Sequence, residues 1–431
     1  MNLTEMAQRA KRAFYELSES PLSVRNQALI RMAESLIQDQ DMIFSANLAD
    51  LAQAREEGLA APLLQRLRFD QAKLQQVTSG LHALAGLPDP IGKTVFCHEI
   101  TEGLKLYRVT CPIGVIGVIF ESRPDALVQI ASLALKSGNA ALLKGGREAL
   151  RTNQALISSI RKALSASSLP LDAAQLMETR EDVAAMLKED TLIDLIIPRG
   201  SNAFVRYIMD NSRIPVLGHA DGVCHVYVDR DADLETAWKV ALDSKIQNLS
   251  VCNAEETLLV HAEIADAFLP RFAELLQANG VEIRGDEEVQ KMIPCLPATE
   301  SDWSTEYLDA ILSIRIVSSL QEAVTHINHY GSHHTDCIVT ENRSAASTFM
   351  TRVDSAGVYL NVSTRFADGY VYGLGAEVGI ATGKLHSRGP MGLDGLTTYK
   401  YKLIGHGQTM AEMKRGERVY THQVLDEKCP L

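Results

Sequence analysis

The opening stretch of the chain has the hydrophobic pattern of helices. Apolar residues recur at the spacing of one helical face, and the clearest positions are Val24, Ala28, Leu29, Met32, Ala33 and Leu36. Recurrence at i, i+3 and i+4 is typical of an amphipathic helix with one face in a protein core. The same pattern continues with breaks to about Leu87. We therefore expect a helical N-terminal region.

The pattern changes to strands after this region. Residues 94–100 and 104–109 flank Thr101-Glu102-Gly103, which is suited to a hairpin turn. Residues 395–405 form one further strand pattern near the C-terminus. Both segments lie outside the rest of the pattern. We expect them to pair as a projecting arm.

The remaining sequence alternates buried strands with helices. In the first half, apolar runs at 114–120, 140–143 and 193–197 alternate with helices at about 148–164 and 202–209. The second half has helix 234–247, strand 257–261, helix 264–277, strands 281–284 and 314–317, helix 320–329 and strand 336–340. Apolar strands that alternate with helices indicate parallel sheets covered on both faces. The pattern predicts two α/β domains.

Composition narrows the class of protein. The 431 residues suffice for two or three domains, and the formal net charge of −12 argues against nucleic acid or an anionic membrane as the main partner. The seven cysteines are scattered and never in C-x-x-C spacing, which argues against a disulfide framework and favours a reducing compartment. Neither a signal-peptide pattern nor a long apolar run occurs. We expect a cytoplasmic protein.

One cysteine lies where a nucleophile is expected. Cys252 falls between the predicted helix 234–247 and the predicted strand 257–261, in a loop held by a regular scaffold. A thiolate is a strong nucleophile, whereas a buried cysteine behaves as a small apolar residue. Its position alone leaves both interpretations open.

Five motifs in order resemble those of the gamma-glutamyl phosphate reductases, or glutamate-5-semialdehyde dehydrogenases, of the aldehyde dehydrogenase superfamily. They are Cys111-Pro-Ile-Gly-Val-Ile-Gly-Val-Ile-Phe-Glu-Ser-Arg-Pro-Asp125, Leu142-Leu-Lys-Gly-Gly146, Ile197-Pro-Arg-Gly-Ser201, Ser250-Val-Cys-Asn-Ala254 and Asn361-Val-Ser-Thr-Arg-Phe-Ala-Asp-Gly369. Segments 373–377 and 385–390 extend the last motif. The resemblance implies that Cys252 is the catalytic nucleophile.

The resemblance also implies a fold and its domain limits. The fold would be α/β and aldehyde dehydrogenase-like, with two doubly wound α/β domains and a small β oligomerisation arm. Residues 1–230 would form the cofactor-binding domain, with the hairpin arm near 94–109. Residues 231–360 would form the catalytic cysteine domain. Residues 361–431 would return to the cofactor domain and end in the arm strand.

The implied cofactor is NADPH/NADP, although the sequence has no G-x-G-x-x-G. The resemblance implies cofactor contacts from Lys144, Gly145, Arg199, Gly200 and Ser201. Lys144 ends an apolar strand, and ligands of open α/β sheets bind at that carboxyl edge. Ser201 opens a helix, whose free N–H groups favour an anion. A purely structural turn is the alternative for Arg199 and Ser201.

The oxyanion donor is a point of departure. Oxidising aldehyde dehydrogenases carry an asparagine in the turn where this chain has Ser122 and Arg123. Some donor is required, because oxyanion stabilisation is a large part of catalysis. The backbone N–H of Cys252 and the side chain of Asn253 are candidates. Ser122 and Arg123 are expected to bind substrate.

A second polar segment is expected to hold the substrate's α-carboxylate. Ser363, Thr364 and Arg365 lie in it, and arginine suits bidentate binding of carboxylate or phosphate. The alternative is a well-packed loop.

The segment 216–222 lacks the glutamate with which oxidising relatives activate water. A reductase has no need to hydrolyse its thioester, so the loss fits acyl-phosphate chemistry. His219 lies in this segment and titrates near neutral pH, although a histidine in a turn is more often structural. A second group of histidines superficially resembles a metal motif but lacks acidic partners, so no metal is expected. That group is His326, His329, His333 and His334.

Together these features predict NADPH-dependent reduction of L-glutamyl 5-phosphate to L-glutamate 5-semialdehyde and phosphate, through a Cys252 thioester, in proline biosynthesis. The alternatives are an NAD-dependent aldehyde dehydrogenase and a non-catalytic member of the fold. The expected partner is the small-molecule substrate, with no nucleic acid and no membrane. A homo-oligomer is expected, with functional coupling to the glutamate kinase that makes the labile substrate.

Overall fold

The computed structural model describes residues 2–178, 181–219, 221–374 and 377–431. Its N-terminal region is helical, with α1 (Leu3–Ser18), α2 (Leu22–Gln38), α3 (Gln40–Glu56), α4 (Ala61–Leu67) and α5 (Gln71–Gly86). Ala28, Leu29, Met32 and Ala33 of α2 are fully buried. The predicted apolar face of this helix is therefore confirmed.

A hairpin and a parallel sheet follow. The hairpin consists of β1 (Thr94–Thr101) and β2 (Leu104–Pro112). The sheet unit comprises β3 (Val115–Phe120), α6 (Pro124–Lys136), β4 (Ala140–Lys144), α7 (Leu150–Ser165), β5 (Ala174–Leu176), α8 (Glu181–Met186), β6 (Leu195–Arg199) and α9 (Asn202–Asn211). The strand order is β5-β4-β3-β6. The chain leaves β3 for β4 on one side and later returns to β6 on the other. This creates a switch point at the carboxyl ends of β3 and β6, where α/β sheets bind ligands.

The second parallel sheet carries the rest of the alternating pattern. Its unit comprises β7 (Cys224–Val228), α10 (Leu234–Ile246), β8 (Glu255–His261), α11 (Ala262–Ala278), β9 (Glu282–Gly285), α12 (Glu287–Met292), β10 (Leu296–Pro297), β11 (Ile311–Val317), α13 (Leu320–Tyr330), β12 (Thr335–Val339), α14 (Arg343–Arg352) and β13 (Gly357–Leu360). The strand order is β10-β9-β11-β8-β7-β12-β13.

Strand β7 corrects the expected domain boundary. It lies between β8 and β12, so it belongs to the second sheet and not to a domain spanning 1–230. The apolar pattern missed this strand because the polar His225 interrupts it. His225 is fully buried because its Nδ1 pairs with the Asp336 carboxylate at 2.9 Å. The second unit therefore begins before residue 224.

The C-terminal segment completes the arm. It contains β14 (Gly379–Ala381), β15 (Gly389–Met391), β16 (Thr397–Ile404), α15 (Met410–Arg415) and β17 (Gln423–Leu425). β16 pairs antiparallel with β2, which confirms the predicted pairing of the terminal strand with the hairpin. The unpredicted β17 adds to β1 and gives the order β16-β2-β1-β17.

Two global features bear on function. None of the helices in the described ranges is long and apolar enough to cross a membrane. The seven cysteines all lie in described residues, and each is a free thiol.

Candidate active site

Cys252 lies in a turn between α10 and β8, as predicted, and its side chain is partly buried. Two residues that begin the neighbouring strand fix its backbone. A Cβ on Gly222 would lie 2.6 Å from the Cys252 Cα, and the Cys224 thiol donates to the Cys252 carbonyl at 3.3 Å. The backbone of this turn therefore fits only against a glycine at position 222.

A second set of contacts ties the turn to the segment 361–369. The Asn253 amide donates to the Ala367 carbonyl at 2.9 Å, and the Thr364 hydroxyl donates to the Asn253 carbonyl at 2.7 Å. Asn253 and Thr364 are both buried. The Asn253 amide donors are thus engaged by backbone carbonyls of the segment 361–369, so Asn253 ties the turn of Cys252 to that segment. Its expected role as an oxyanion donor stays a prediction.

The hydroxyls of Ser363 and Thr364, expected to bind the substrate carboxylate, make hydrogen bonds within the protein. Ser363 is buried, and its Oγ accepts from the Ser244 hydroxyl and from the Arg365 backbone N–H, both at 3.3 Å. The Thr364 hydroxyl is engaged as described above. Arg365 is the residue of this segment that can bind an anionic substrate group. Its Nε donates to the neutral Gln247 amide at 2.9 Å, which leaves its positive charge uncompensated by that contact.

Two arginines bring positive charge to the thiol. Burial lowers the pKa of Arg365, and the nearby Cys252 opposes that shift. Burial also lowers the pKa of Arg123, with Arg199 and Arg66 adding to the effect and Asp125 and Cys252 opposing it. Both guanidinium groups are close enough to Cys252 to interact with its charge, and they supply the local positive charge that an anionic substrate requires in an acidic protein.

Ser122 plays a different part from the one expected. Its backbone N–H and its hydroxyl both donate to Glu148 Oε1, at 2.6 and 2.8 Å, and the side chain is buried. Its φ of 46° lies in the left-handed region, which is strained for a serine. Ser122 therefore shapes the turn that presents Arg123, and its hydroxyl is already in use.

The predicted cofactor residues lie together at the carboxyl edge of the first sheet. Lys144 ends β4, is buried and donates to the Gly145 carbonyl at 2.7 Å. Arg199 ends β6 and donates to the Val378 carbonyl at 2.7 Å. A Cβ on Gly145 would lie 2.1 Å from the Asn153 side chain, so this turn requires glycine.

The start of α9 differs from the expected anion site. Ser201 is the N-cap residue, but its side chain makes no capping hydrogen bond. Its backbone N–H donates instead to Glu121 Oε2 at 3.1 Å, and a Cβ on Gly200 would lie 2.6 Å from the same oxygen. A carboxylate of the protein already occupies this helix N-terminus, so a cofactor phosphate would meet like charge there.

A crevice of about 620 Å³ extends from this edge along α5 and α6. Arg123 and Arg199 line it together with the carboxylates of Asp368 and Glu377. Burial raises the pKa of Glu377, and Arg199 opposes that shift. Charges of both signs along the crevice suit a ligand that itself carries both signs of charge.

Histidines complete the surroundings of Cys252. His219 Nδ1 lies 2.9 Å from the Ile380 carbonyl, and burial lowers the pKa of His219. One donor atom each of His219, Cys252 and His334 lies within 4.8 Å of the others. The sequence analysis missed His334 and Gly222 as neighbours of Cys252.

The order of the strands explains why Gly222 and His334 lie next to Cys252. Gly222, Cys252 and His334 lie in the short segments before β7, β8 and β12, which are adjacent parallel strands. Parallel strands begin at the same edge of a sheet, so residues that precede neighbouring strands converge. Recognising β7 from the sequence would therefore have predicted the cluster. The segment 373–377 of the last motif cannot be followed in full, because residues 375 and 376 fall outside the described ranges.

Comparison with known proteins places this site in context. The model of the aldehyde dehydrogenase family matches residues 1–309. Gamma-glutamyl phosphate reductase of Acetivibrio thermocellus is 54% identical over 431 residues, covering 100% of both chains. The crystal structure of gamma-glutamyl phosphate reductase from Thermotoga maritima is 40% identical, with a TM-score of 0.93 over 95% of this chain and 100% of that one.

A more distant structure shares the fold. An engineered glycolyl-CoA reductase with bound NADP+ is 14% identical, with a TM-score of 0.66 over 94% of this chain and 97% of that one. Two doubly wound sheets with a β arm are thus a fold common to these proteins.

Proposed function

The chain belongs to the aldehyde dehydrogenase family and, within it, to the gamma-glutamyl phosphate reductases, and on this premise we propose how its site works. The enzyme reduces L-glutamyl 5-phosphate to L-glutamate 5-semialdehyde and phosphate in proline biosynthesis, with a nicotinamide cofactor. One observation carries the proposed mechanism. It is the placement of Cys252 in a fixed turn with Arg123 and Arg365 near its sulfur.

The first step is acyl transfer to sulfur. The Cys252 thiolate attacks the acyl-phosphate carbonyl, a C–S bond forms, and the C–O bond to phosphate breaks with its electron pair leaving on phosphate. Arg123 stabilises the departing phosphate, and Arg365 binds the α-carboxylate. The backbone N–H of Cys252 is the proposed oxyanion donor, since the Asn253 amide is engaged elsewhere.

The second step returns the thiol. Lys144 and Arg199 would hold the NADPH, which would supply the hydride that reduces the thioester carbon. The C–S bond of the resulting thiohemiacetal then breaks, Cys252 leaves as a thiolate, and the semialdehyde is released. The same residue thus serves first as nucleophile and then as leaving group, for which sulfur is suited.

The residues at the switch point of the first sheet fit this cofactor. Lys144 and Arg199 end β4 and β6, where a dinucleotide crosses such a sheet, and are the proposed contacts for its phosphates. The exposed Glu121 carboxylate at the start of α9 suits a ribose hydroxyl better than a phosphate. Gly145, Gly200 and Ser201 are the proposed backbone contacts of the cofactor in these turns. We also propose that the enzyme prefers NADPH to NADH.

The segment 216–222 carries no glutamate that could activate water as the oxidising relatives do. The segment that holds the glutamate of oxidising relatives holds His219 here. Burial lowers the pKa of His219, which makes its imidazole a weak base toward water. The acyl enzyme is therefore expected to react with hydride in the reducing direction and with phosphate in the oxidising direction.

The assembly and location are also proposals. The arm exposes Tyr399, Tyr401 and Leu403, which alternate along β16 and so share one face of its sheet. We assign this face to a second copy of the chain in a homo-oligomer. Functional coupling to the glutamate kinase that supplies the labile substrate, and a cytoplasmic location, stay predictions.

One assay tests the function against its alternatives. Glutamyl phosphate is generated in place by a glutamate kinase with ATP, and NADPH absorbance is followed. We expect oxidation of NADPH that requires the kinase, ATP and glutamate together. No consumption of NADPH, together with NAD-dependent oxidation of simple aldehydes, would support the oxidising alternative instead. Absence of both activities would support a non-catalytic member of the fold.

A further inference from the structure

The thiol of Cys252 lies beside two imidazoles from distant parts of the chain. One donor atom from each of Cys252, His219 and His334 lies within 4.8 Å of the other two. His219 precedes β7, and His334 directly precedes β12. A thiolate with two neutral imidazoles is a donor set that zinc prefers among the divalent cations of cells.

In both histidines the Nδ1 atom contacts another group of the protein. His219 Nδ1 lies 2.9 Å from the Ile380 carbonyl, an acceptor that fixes the proton on Nδ1 and leaves the Nε2 lone pair available. His334 is 1% exposed, and its Nδ1 lies 3.0 Å from the Thr335 hydroxyl and 3.7 Å from the Cys224 sulfur. Histidine ligands typically bond through the other ring nitrogen to a carbonyl, carboxylate or water in this way.

A second observation points to a ligand. His334 Nε2 is buried and has no hydrogen-bond partner among the described residues. A buried polar atom without a partner costs free energy, so such atoms in folded proteins usually have a function that explains them. A cation bound at this nitrogen would satisfy it.

The nearby charges are mixed. Arg123 and Arg365 act on Cys252 and oppose a cation. Glu306 and Glu377 act on His219 with the opposite sign. Metal–nitrogen and metal–sulfur bonds of about 2.0–2.3 Å require the three donors to draw slightly closer than they lie here. We therefore expect affinity below that of a structural zinc site, and a fourth position open to water.

We propose that Cys252, His219 and His334 form a reversible site for a thiophilic divalent cation such as Zn²⁺, and that its occupation switches the enzyme off. Binding replaces the thiol proton by a sulfur–metal bond, and the proton passes to solvent. Coordination draws electron density from the sulfur and ties it to both imidazoles, so the sulfur becomes a weaker nucleophile that cannot swing onto an acyl-phosphate carbonyl. This regulatory consequence rests on the proposed role of Cys252 as nucleophile, whereas the binding itself does not.

Cobalt(II) is the probe that reports the ligands directly, because thiolate ligation gives an intense near-ultraviolet charge-transfer band. We titrate the full-length protein, kept reduced by a phosphine, with CoCl₂ and compete with ZnCl₂. The expected result is one cobalt per chain with the sulfur band, displaced by zinc. Cys252→Ser should abolish the band, and His334→Asn and His219→Asn should each weaken binding at least about tenfold.

Matched variants control for surface ligands. Cys111→Ser and His329→Asn alter a thiol of the arm and an exposed histidine, and both should bind cobalt as the wild type does. Thermal unfolding of each variant shows whether it is folded, and the two site histidines give independent tests. Zinc should inhibit NADPH oxidation and EDTA should restore it. Cobalt binding without the sulfur band, or with wild-type affinity in both histidine variants, overturns the proposal.

The two proposals fail separately. An enzyme that reduces glutamyl phosphate but gives no sulfur–cobalt band disproves the metal site alone. A protein that shows the band in the wild type but not in Cys252→Ser, and has no reductase activity, disproves the proposed function alone.

Discussion

Gly222 lies so close to Cys252 that a Cβ on residue 222 would be 2.2 Å from the Cys252 carbonyl oxygen and 2.6 Å from its Cβ. The catalytic turn is therefore positioned by the start of the neighbouring strand β7. Cys224 adds a thiol contact to the same carbonyl at 3.3 Å. The position of the nucleophile thus depends on the absence of a side chain at Gly222.

Gly222→Ala should displace the thiol and lower kcat by about 100-fold, because a shift of about 1 Å at a reacting group costs that much. NADPH binding should change little, since the proposed cofactor residues belong to the first sheet. Steady-state kinetics and fluorescence titration measure the two effects. Gly86→Ala is the control, because a Cβ there would meet nothing within 4 Å. Equal kcat in Gly222→Ala and the wild type would show that the contact is not needed.

Cys252→Ala should remove all but about a hundredth of the activity, because no other group forms the thioester. The melting temperature and NADPH affinity should stay close to those of the wild type, since the side chain is only partly buried. Cys111→Ser, which changes a thiol of the arm strand, should retain activity. A Cys252→Ala protein with substantial turnover would rule out covalent catalysis at this residue.

His326 should make stability pH-dependent. Burial, with help from His225 and Arg315, lowers its pKa from 6.5 to about 2. Below pH 6.5, His326 is protonated in the unfolded chain but stays neutral in the folded protein. The free energy of unfolding therefore falls as the pH falls. This group contributes a slope of at most about 1.4 kcal/mol per pH unit.

His326→Phe should remove that contribution, because phenylalanine retains ring contacts with Trp303 and Tyr330 but cannot be protonated. Urea unfolding between pH 7 and pH 4.5 measures the slope in both proteins. The variant should lose less stability over this range. Identical slopes would mean that His326 titrates alike in the folded and unfolded states.

The arm should hold subunits together. Tyr401 and Leu403 are 56% and 58% exposed, and their burial against a second copy would remove apolar surface from water. Tyr401→Asp combined with Leu403→Asp should shift the protein toward monomer in light scattering. Lys400→Glu lies on the opposite face of β16 and should leave the assembly intact. A wild type that is monomeric at micromolar concentration would refute this role of the arm.

Much of the fold is predictable because its signals are local. Helical periodicity identifies α2, and the turn residues after Thr101 identify the hairpin. Family motifs identify Cys252 and the residues at the carboxyl edge of the first sheet. Each of these depends on residues that are close together in the sequence.

The details of the site depend on contacts between distant segments. β7 is hidden because His225 is polar, and Asp336 is what allows its burial. Asn253 looks like a donor for substrate, yet the Ala367 carbonyl takes its amide. The anion site expected at Ser201 is occupied by the protein's own carboxylate. In each case the partner that decides the role lies in another segment, which a sequence pattern does not reveal.

The central claim is that, in the oxidising direction, phosphate and not water cleaves the Cys252 thioester. The measurement is the initial rate of NADP reduction with glutamate semialdehyde, in buffer with and without inorganic phosphate. Because the segment 216–222 lacks the water-activating glutamate, the phosphate-free rate should be lower by about 100-fold or more, and arsenate should substitute for phosphate. Equal rates with and without phosphate would show that another residue activates water, and would contradict the acyl-phosphate mechanism.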